Sequence, residues 1–359
     1  MATERADRPD ILIPKPELYP PRELVITHSL RAIQAATISA DNNIYILVGP
    51  LPEPKDLPPE IKFKREEIMD NGATAAFIAE LEKSPFKFKI IDTEGAKEKQ
   101  AGKAGVAMDL AIGTYGSGDK MVTGVADVIE GTKSATHGRP NALSIMAIAP
   151  VDGITLIPEE NGEKINYLQK LFAPGEFDDL ISIDRPTKNN LQMVAKVAQI
   201  PSGAITVAVM DRPANKTIIE SAKQFGANVE IISAGDFVWC LKAIDSDPKS
   251  PIIVLGRGGA EEGSIAAVAA RAVDATCQLR YISHADKEKD LELENQGIIW
   301  NIDEFVSARP EHCMVFAPAI TKSTHFGLLP VRRKPSSRII DTLVVDINGF
   351  NIRTDKVAT

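Results

Sequence analysis

The sequence has 359 residues, 44% of them hydrophobic, and a formal net charge of −8. That much apolar material suits one large or two moderate cores, and two soluble domains are expected. The acidic balance argues against nucleic acid as a partner, and no run of about 18 apolar residues suggests a bilayer span. Cys240, Cys277 and Cys313 are scattered and form no C-x-x-C pair, which points to a reducing, cytoplasmic setting and buried thiols rather than structural zinc.

Pro9, Pro14, Pro16, Pro20 and Pro21 forbid a helix at the start, so residues 1–21 read as an extended or mobile arm. Apolar residues at helical spacing (Leu24, Val25, Leu30, Ile33, Ala36, Ile38) then predict a helix over 22–41. A proline-rich stretch over 50–59 reads as a loop or insertion before a second helix over 65–83. Strands are expected over 86–92, 121–127 and 142–149, with the glycine-rich run 113–118 as a flexible loop. These pieces make an N-terminal α/β domain, 22–160. Beyond it helix and strand alternate regularly from 190 to 273, which implies a mainly parallel sheet with helices on both faces. Further strands over 313–317 and 338–345 complete a C-terminal α/β domain, 161–359.

The sharpest local signal is Asp127-Val128-Ile129-Glu130-Gly131-Thr132, where an apolar strand runs into a glycine turn. Two carboxylates three residues apart with a chain reversal between them can converge on one hard cation, since magnesium and manganese prefer oxygen ligands. A solvated turn whose acids cap the next segment is the plainer alternative. The run Gly256-Arg257-Gly258-Gly259-Ala260-Glu261-Glu262-Gly263 follows an apolar strand and precedes an alanine-rich helix. Its backbone amides could cradle an anion. It lacks the third glycine of a dinucleotide fingerprint and the Lys-Ser/Thr pair of a P-loop, and a close strand-to-helix turn remains open. The five histidines show no ligand spacing.

In this order the pieces resemble the class II fructose-1,6-bisphosphatases, a branch of the metal-dependent, lithium-sensitive phosphatases. The likeness runs from about Arg22 onward. Asp127 to Thr132 matches the family's strand end with Val128 in place of proline, and Gly138-Arg139-Pro140-Asn141-Ala142 matches its continuation. The resemblance implies a layered α/β sandwich of two domains, of αβαβα type. It implies magnesium or manganese held by Asp70, Glu94, Asp127, Glu130 and Glu262, with Glu130 and Thr132 in the catalytic role. It further implies a sugar bisphosphate bound through Gly131, Thr132, Tyr167, Arg212, Asp236 and Gly259, with loss of its 1-phosphate, and a homodimer or homotetramer. The family's Lys-Pro-Arg contact appears as Arg212-Pro213-Ala214, and its Asp-Gly-Asp contact as Ala234-Gly235-Asp236. One substrate cation is therefore missing. A non-catalytic sugar-phosphate-binding relative, or a phosphatase for another small monoester, stand as alternatives.

Overall fold

The computed structural model describes residues 19–47, 59–93, 112–156, 158–160, 163–165, 167–233, 235–283 and 299–358. The expected arm up to residue 18, the proline-rich stretch through Pro58, Glu94 and Ala234 lie outside them. In chain order the strands are β1 (Lys87–Thr93), β2 (Gly113–Tyr115), β3 (Met121–Glu130), β4 (Leu143–Pro150), β5 (Glu159–Glu160), β6 (Glu163–Lys164), β7 (Tyr167–Ala173), β8 (Thr206–Met210), β9 (Asn228–Ile232), β10 (Ile252–Gly259), β11 (Thr276–Tyr281), β12 (Ile299–Asn301), β13 (Met314–Pro318), β14 (Arg332–Lys334), β15 (Ser337–Asp346) and β16 (Gly349–Ala358). Two compact α/β units result, as expected, but their limits differ from the expected ones. One unit joins Lys15–Val151 to Met314–Thr359, and the other is built on Asp152–Cys313.

In the two-segment unit the sheet order is β14-β15-β13-β4-β3-β1-β2, with β16 on β15. Residues 314–359 belong here rather than with the C-terminal domain because β13 and β4 are both buried along their whole length. Two strands buried on both faces sit side by side inside a sheet, and Val315 pairs with Ala147 antiparallel. Helices Arg22–Leu47 and Pro59–Leu81 cover one face. Met69, Ala73, Phe77 and Leu81, spaced by four, pack with Val25, Ile33 and Ala36 against Phe88, Val122 and Met146.

The first helix runs past the expected stop at Asp41–Asn43. Asp41 pairs with Arg333 at 2.9 Å, and a Cβ on Gly72 of the second helix would stand 2.7 Å from Asn43 Nδ2. Tertiary partners outweigh the local stop signal. Leu24, read as part of the apolar stripe, is exposed. The run 113–118 is no flexible loop: β2 pairs with β1, and Gly116, at φ +91°, approaches the Phe86 carbonyl so closely that a side chain would collide with it.

In the inserted unit the order is β12-β11-β7-β10-β8-β9. Strands β8, β9 and β10 are parallel, whereas β7 lies antiparallel between β10 and β11. The regular alternation thus predicts the helix-linked strands correctly and misses the earlier strand threaded among them. Leu171, Val207 and Ile253 on one face pack with Leu191, Val194, Ile218 and Ala222 of helices Thr187–Ala198 and Lys216–Phe225. Helices Phe237–Ile244 and Ala260–Ala272 also pack on this sheet. All three cysteines are buried and unbridged, as expected. Among the described residues no helix is long and apolar enough to cross a membrane.

Candidate functional site

In a regular strand, residues three apart point to opposite faces. Asp127 and Glu130 escape that rule through a bulge rather than the expected chain reversal. Asp127 stands opposite Ile145 while Glu130 stands opposite Leu143, so β3 carries one extra residue between them. Val128 and Ile129 both pack into the helix-side core, which leaves Asp127 and Glu130 together on the other face. Both carboxylates are buried, at 2% and 5% exposure. Asp127 Oδ1 accepts a hydrogen bond from Ile129 N at 3.0 Å, so the bulge itself orients the acid.

Gly131 follows in the left-handed region, at φ +80°, where a Cβ would also press to 3.3 Å from the Asn141 carbonyl. Thr132 opens the short helix Thr132–Thr136, and its hydroxyl donates to Ile129 O at 3.0 Å. Its oxygen keeps lone pairs for a further donor. Asn141, at φ +73°, accepts from Thr324 N at 2.8 Å, and Ala142 N donates to Thr321 Oγ1 at 3.0 Å. The Asn-Ala pair thus ties the 321–324 loop beside the glycine turn.

Asp70 sits next to the Met69 stripe of helix Pro59–Leu81 and is buried. It comes from the helix layer, the side to which Val128 and Ile129 point. The parallel register of Thr93 with Ala126 brings the end of β1 beside β3 one residue before Asp127. Asp92, a buried acid at that strand end, escaped the sequence reasoning. Its signal was a carboxylate near the end of a strand in which Lys87 and Lys89 alternate with apolar residues.

The second group lies in the inserted unit, at the carboxyl ends of β8, β9 and β10, where open parallel sheets present their ligand sites. Arg212 follows β8 and is exposed, whereas Ala214 is buried at 2% exposure. The missing cation is therefore a packed position. Asn215 clamps the strand ends, its Nδ2 donating to Met210 O at 3.0 Å and its Oδ1 accepting from Arg257 N at 2.8 Å.

Asp236 precedes helix Phe237–Ile244 without capping it through its side chain; it pairs instead with Lys170 of β7, Nζ to Oδ1 2.8 Å, both buried. Burial pushes the Lys170 ammonium down, but Asp236 first, then Cys240 and Glu262, more than offset it, and its pKa is raised. Sequence reasoning missed Lys170. The glycines 258 and 259, read as an amide cradle, make room for this protein's own acids: a Cβ on Gly258 would strike the Asp236 carboxylate, and one on Gly259 would strike that of Glu262. Tyr167 alternates onto the other face of β7, against the Leu171 side of the core.

The structure thus brings Asp127 and Glu130 together in one unit, and Asp236 and Glu262 in the other. Among the described residues no three His, Cys, Asp or Glu side chains form a group ready to hold a metal. The donors of the two-segment unit nonetheless suit a hard divalent cation, because Asp70, Asp127 and Glu130 are all buried carboxylates.

A model of the family described as "Bacterial fructose-1,6-bisphosphatase, glpX-encoded" matches residues 63–357. Among curated proteins, the D-fructose 1,6-bisphosphatase class 2/sedoheptulose 1,7-bisphosphatase of Synechococcus sp. (strain JA-3-3Ab) is 26% identical over 264 residues, which cover 67% of this chain and 74% of the relative. The protein of the same name from Trichodesmium erythraeum (strain IMS101) is 24% identical over 279 residues, 71% of this chain and 78% of its own length. With a match over most of its length, the chain belongs to the bacterial glpX-encoded fructose-1,6-bisphosphatase family.

Proposed function

We propose that this protein is a metal-dependent phosphoric monoester hydrolase that removes the 1-phosphate of fructose-1,6-bisphosphate and also accepts sedoheptulose-1,7-bisphosphate. The bulge in β3 carries the proposal, since it gathers Asp127 and Glu130 on one face immediately before Gly131 and Thr132. Asp70, Glu94, Asp127, Glu130 and Glu262 would hold magnesium or manganese. When bound, such cations lower the pKa of water and neutralise charge on phosphoryl oxygens.

The chain's own groups set the geometry. Glu130 accepts a proton from the attacking water, while Thr132, whose own proton is committed to Ile129 O, offers its oxygen to that water as an acceptor. Gly131 lets the phosphate approach the turn without a side chain. Arg212 supplies a cation for the distal phosphate, Asp236 and Tyr167 contact the sugar, and Gly259 keeps the backbone close. We place the enzyme in the cytoplasm, as a homodimer or homotetramer in carbohydrate metabolism, with no nucleic-acid or membrane partner.

Phosphate release from fructose-1,6-bisphosphate with magnesium or manganese, beside a Glu130→Gln variant, tests this. Turnover that disappears in the variant supports it, and no release with either metal refutes it. The buried Ala214 favours one rival, a phosphatase for a small monophosphate that needs no second phosphate pocket. Turnover of monophosphates alone in a substrate panel would establish that rival.

A further inference from the structure

Strand β16 ends its sheet: β15 pairs with it from Gly349 to Ala358, and among the described residues no strand takes its other edge. A long edge presents a row of backbone donors and acceptors to any chain that can pair with it, and proteins normally blunt or cover it. We propose, resting on the homo-oligomer given above, that a second copy of the chain covers this edge. Its β16 runs antiparallel across a two-fold axis at Thr354, so that Arg353 of each copy faces Asp355 of the other.

The strand's own charges select that register. Antiparallel pairing about a two-fold axis sets residues equally far from the axis opposite one another. An axis at Arg353 or Asp355 puts like charges face to face, and one at Lys356 opposes two ammoniums. An axis at Ile352 matches Arg353 to Asn351 and Asp355 to Gly349. The Thr354 axis instead brings two unlike pairs together, and it lays the Lys356 stem against Ile352, which is 56% exposed. Charges on an edge discourage pairing in general; these discourage the neighbouring registers and favour one. The side chains have capacity for the contact. Arg353, its side chain 53% exposed, bonds Asp355 of its own strand through Nε at 2.8 Å, which leaves the terminal nitrogens of the fork for a second carboxylate. Gln34 Nε2 donates to Asp355 Oδ2 at 3.0 Å and fixes the acid on the face turned to the first helix, while Oδ1, accepting from Arg353, keeps a lone pair.

Sedimentation velocity and native mass spectrometry of the full chain test this. Arg353→Asp alone and Asp355→Arg alone each replace two attractive pairs by two repulsive ones, so the dissociation constant should rise by on the order of 10–100-fold and the assembly should halve in mass. Mixed in equal amounts, the two variants should associate with each other, because the acidic strand of one meets the basic strand of the other. A pair that serves only its own strand predicts no such recovery, since mixing leaves each chain's charges as they were. Unaltered assembly in both folded variants, or no association on mixing, overturns the proposal. Should either variant fail to fold, cysteine decides. Thr354→Cys should oxidise to a cross-linked pair, its two copies about 5 Å apart at the axis, whereas Ile352→Cys, about 13 Å from its counterpart, should not. Absence of the Thr354→Cys cross-link, or equal cross-linking of both, overturns the contact. A monomeric wild type overturns the homo-oligomer and this contact together, an outcome distinct from an oligomer indifferent to these charges.

Discussion

The two units hold buried acids by different means. At the end of β3 the backbone arranges them: a bulge sets Asp127 and Glu130 on one face, and the Ile129 amide orients Asp127. In the inserted unit side chains do it, with Lys170 inside the group and glycines that make room for Asp236 and Glu262. The bulge works through an amide, which adds no net charge, whereas the lysine brings a full positive charge against Asp236.

That contrast can be broken at several points. The largest effect is expected from Asp127→Asn or Glu130→Gln, each lowering kcat by on the order of 10²–10³-fold while far-UV circular dichroism stays unchanged. Next comes Gly259→Ala, whose Cβ would strike the Glu262 carboxylate; kcat/KM should fall about 10- to 100-fold. Gly203→Ala in the same unit, where the nearest atom is 3.9 Å from the new Cβ, should leave kcat/KM alone. Equal losses in both would show that Gly259 acts through general packing.

A smaller effect separates the units by stability. Arg332 hydrogen-bonds Asp341 and holds its carboxyl down to about 2, against the ordinary 3.8. A depressed carboxyl stabilises the fold above its unfolded pKa and ceases to do so as pH falls through the folded one. Asp341→Asn should thus cost about 2 kcal/mol at pH 7, with the difference from wild type closing between about pH 4 and pH 2. Trp239 and Trp300, the two tryptophans of the chain, both lie in the inserted unit. Circular dichroism should register the loss, and a matching shift in tryptophan fluorescence would show that the units unfold together. The smallest expected signal is thiol reactivity. Burial pushes Cys313 up to about 12 and the other two thiols well upward, so native protein at pH 8 should resist Ellman's reagent, and rapid labelling would contradict the packing.

Most helices and helix-linked strands were legible in the sequence because their signals are local. Periodicity placed helix Lys216–Phe225 at both ends. The Asp-x-x-Glu-Gly-Thr run marked the right carboxylates, but a bulge depends on the partner strand and leaves no trace in spacing, so the way they meet was hidden. Lys170 was invisible for a similar reason: it interrupts an apolar run, Tyr167–Ala173, and only the approach of Asp236 and the glycines makes a charge tolerable there. The antiparallel course of β7 and the return of 314–359 are likewise long-range pairings. Local propensity cannot encode them.

That return also sets a clock. β4 ends at Pro150 and its partner β13 begins at Met314, a gap of 164 residues (314 minus 150). At about 5–20 residues per second, the ribosome needs roughly 8 to 33 seconds to supply the missing strand. Throughout that interval β4, buried along its whole length in the finished fold, has no β13 beside it, while the strands of the inserted unit are still being made. Aggregation risk during synthesis is concentrated in that window, at one edge of one strand.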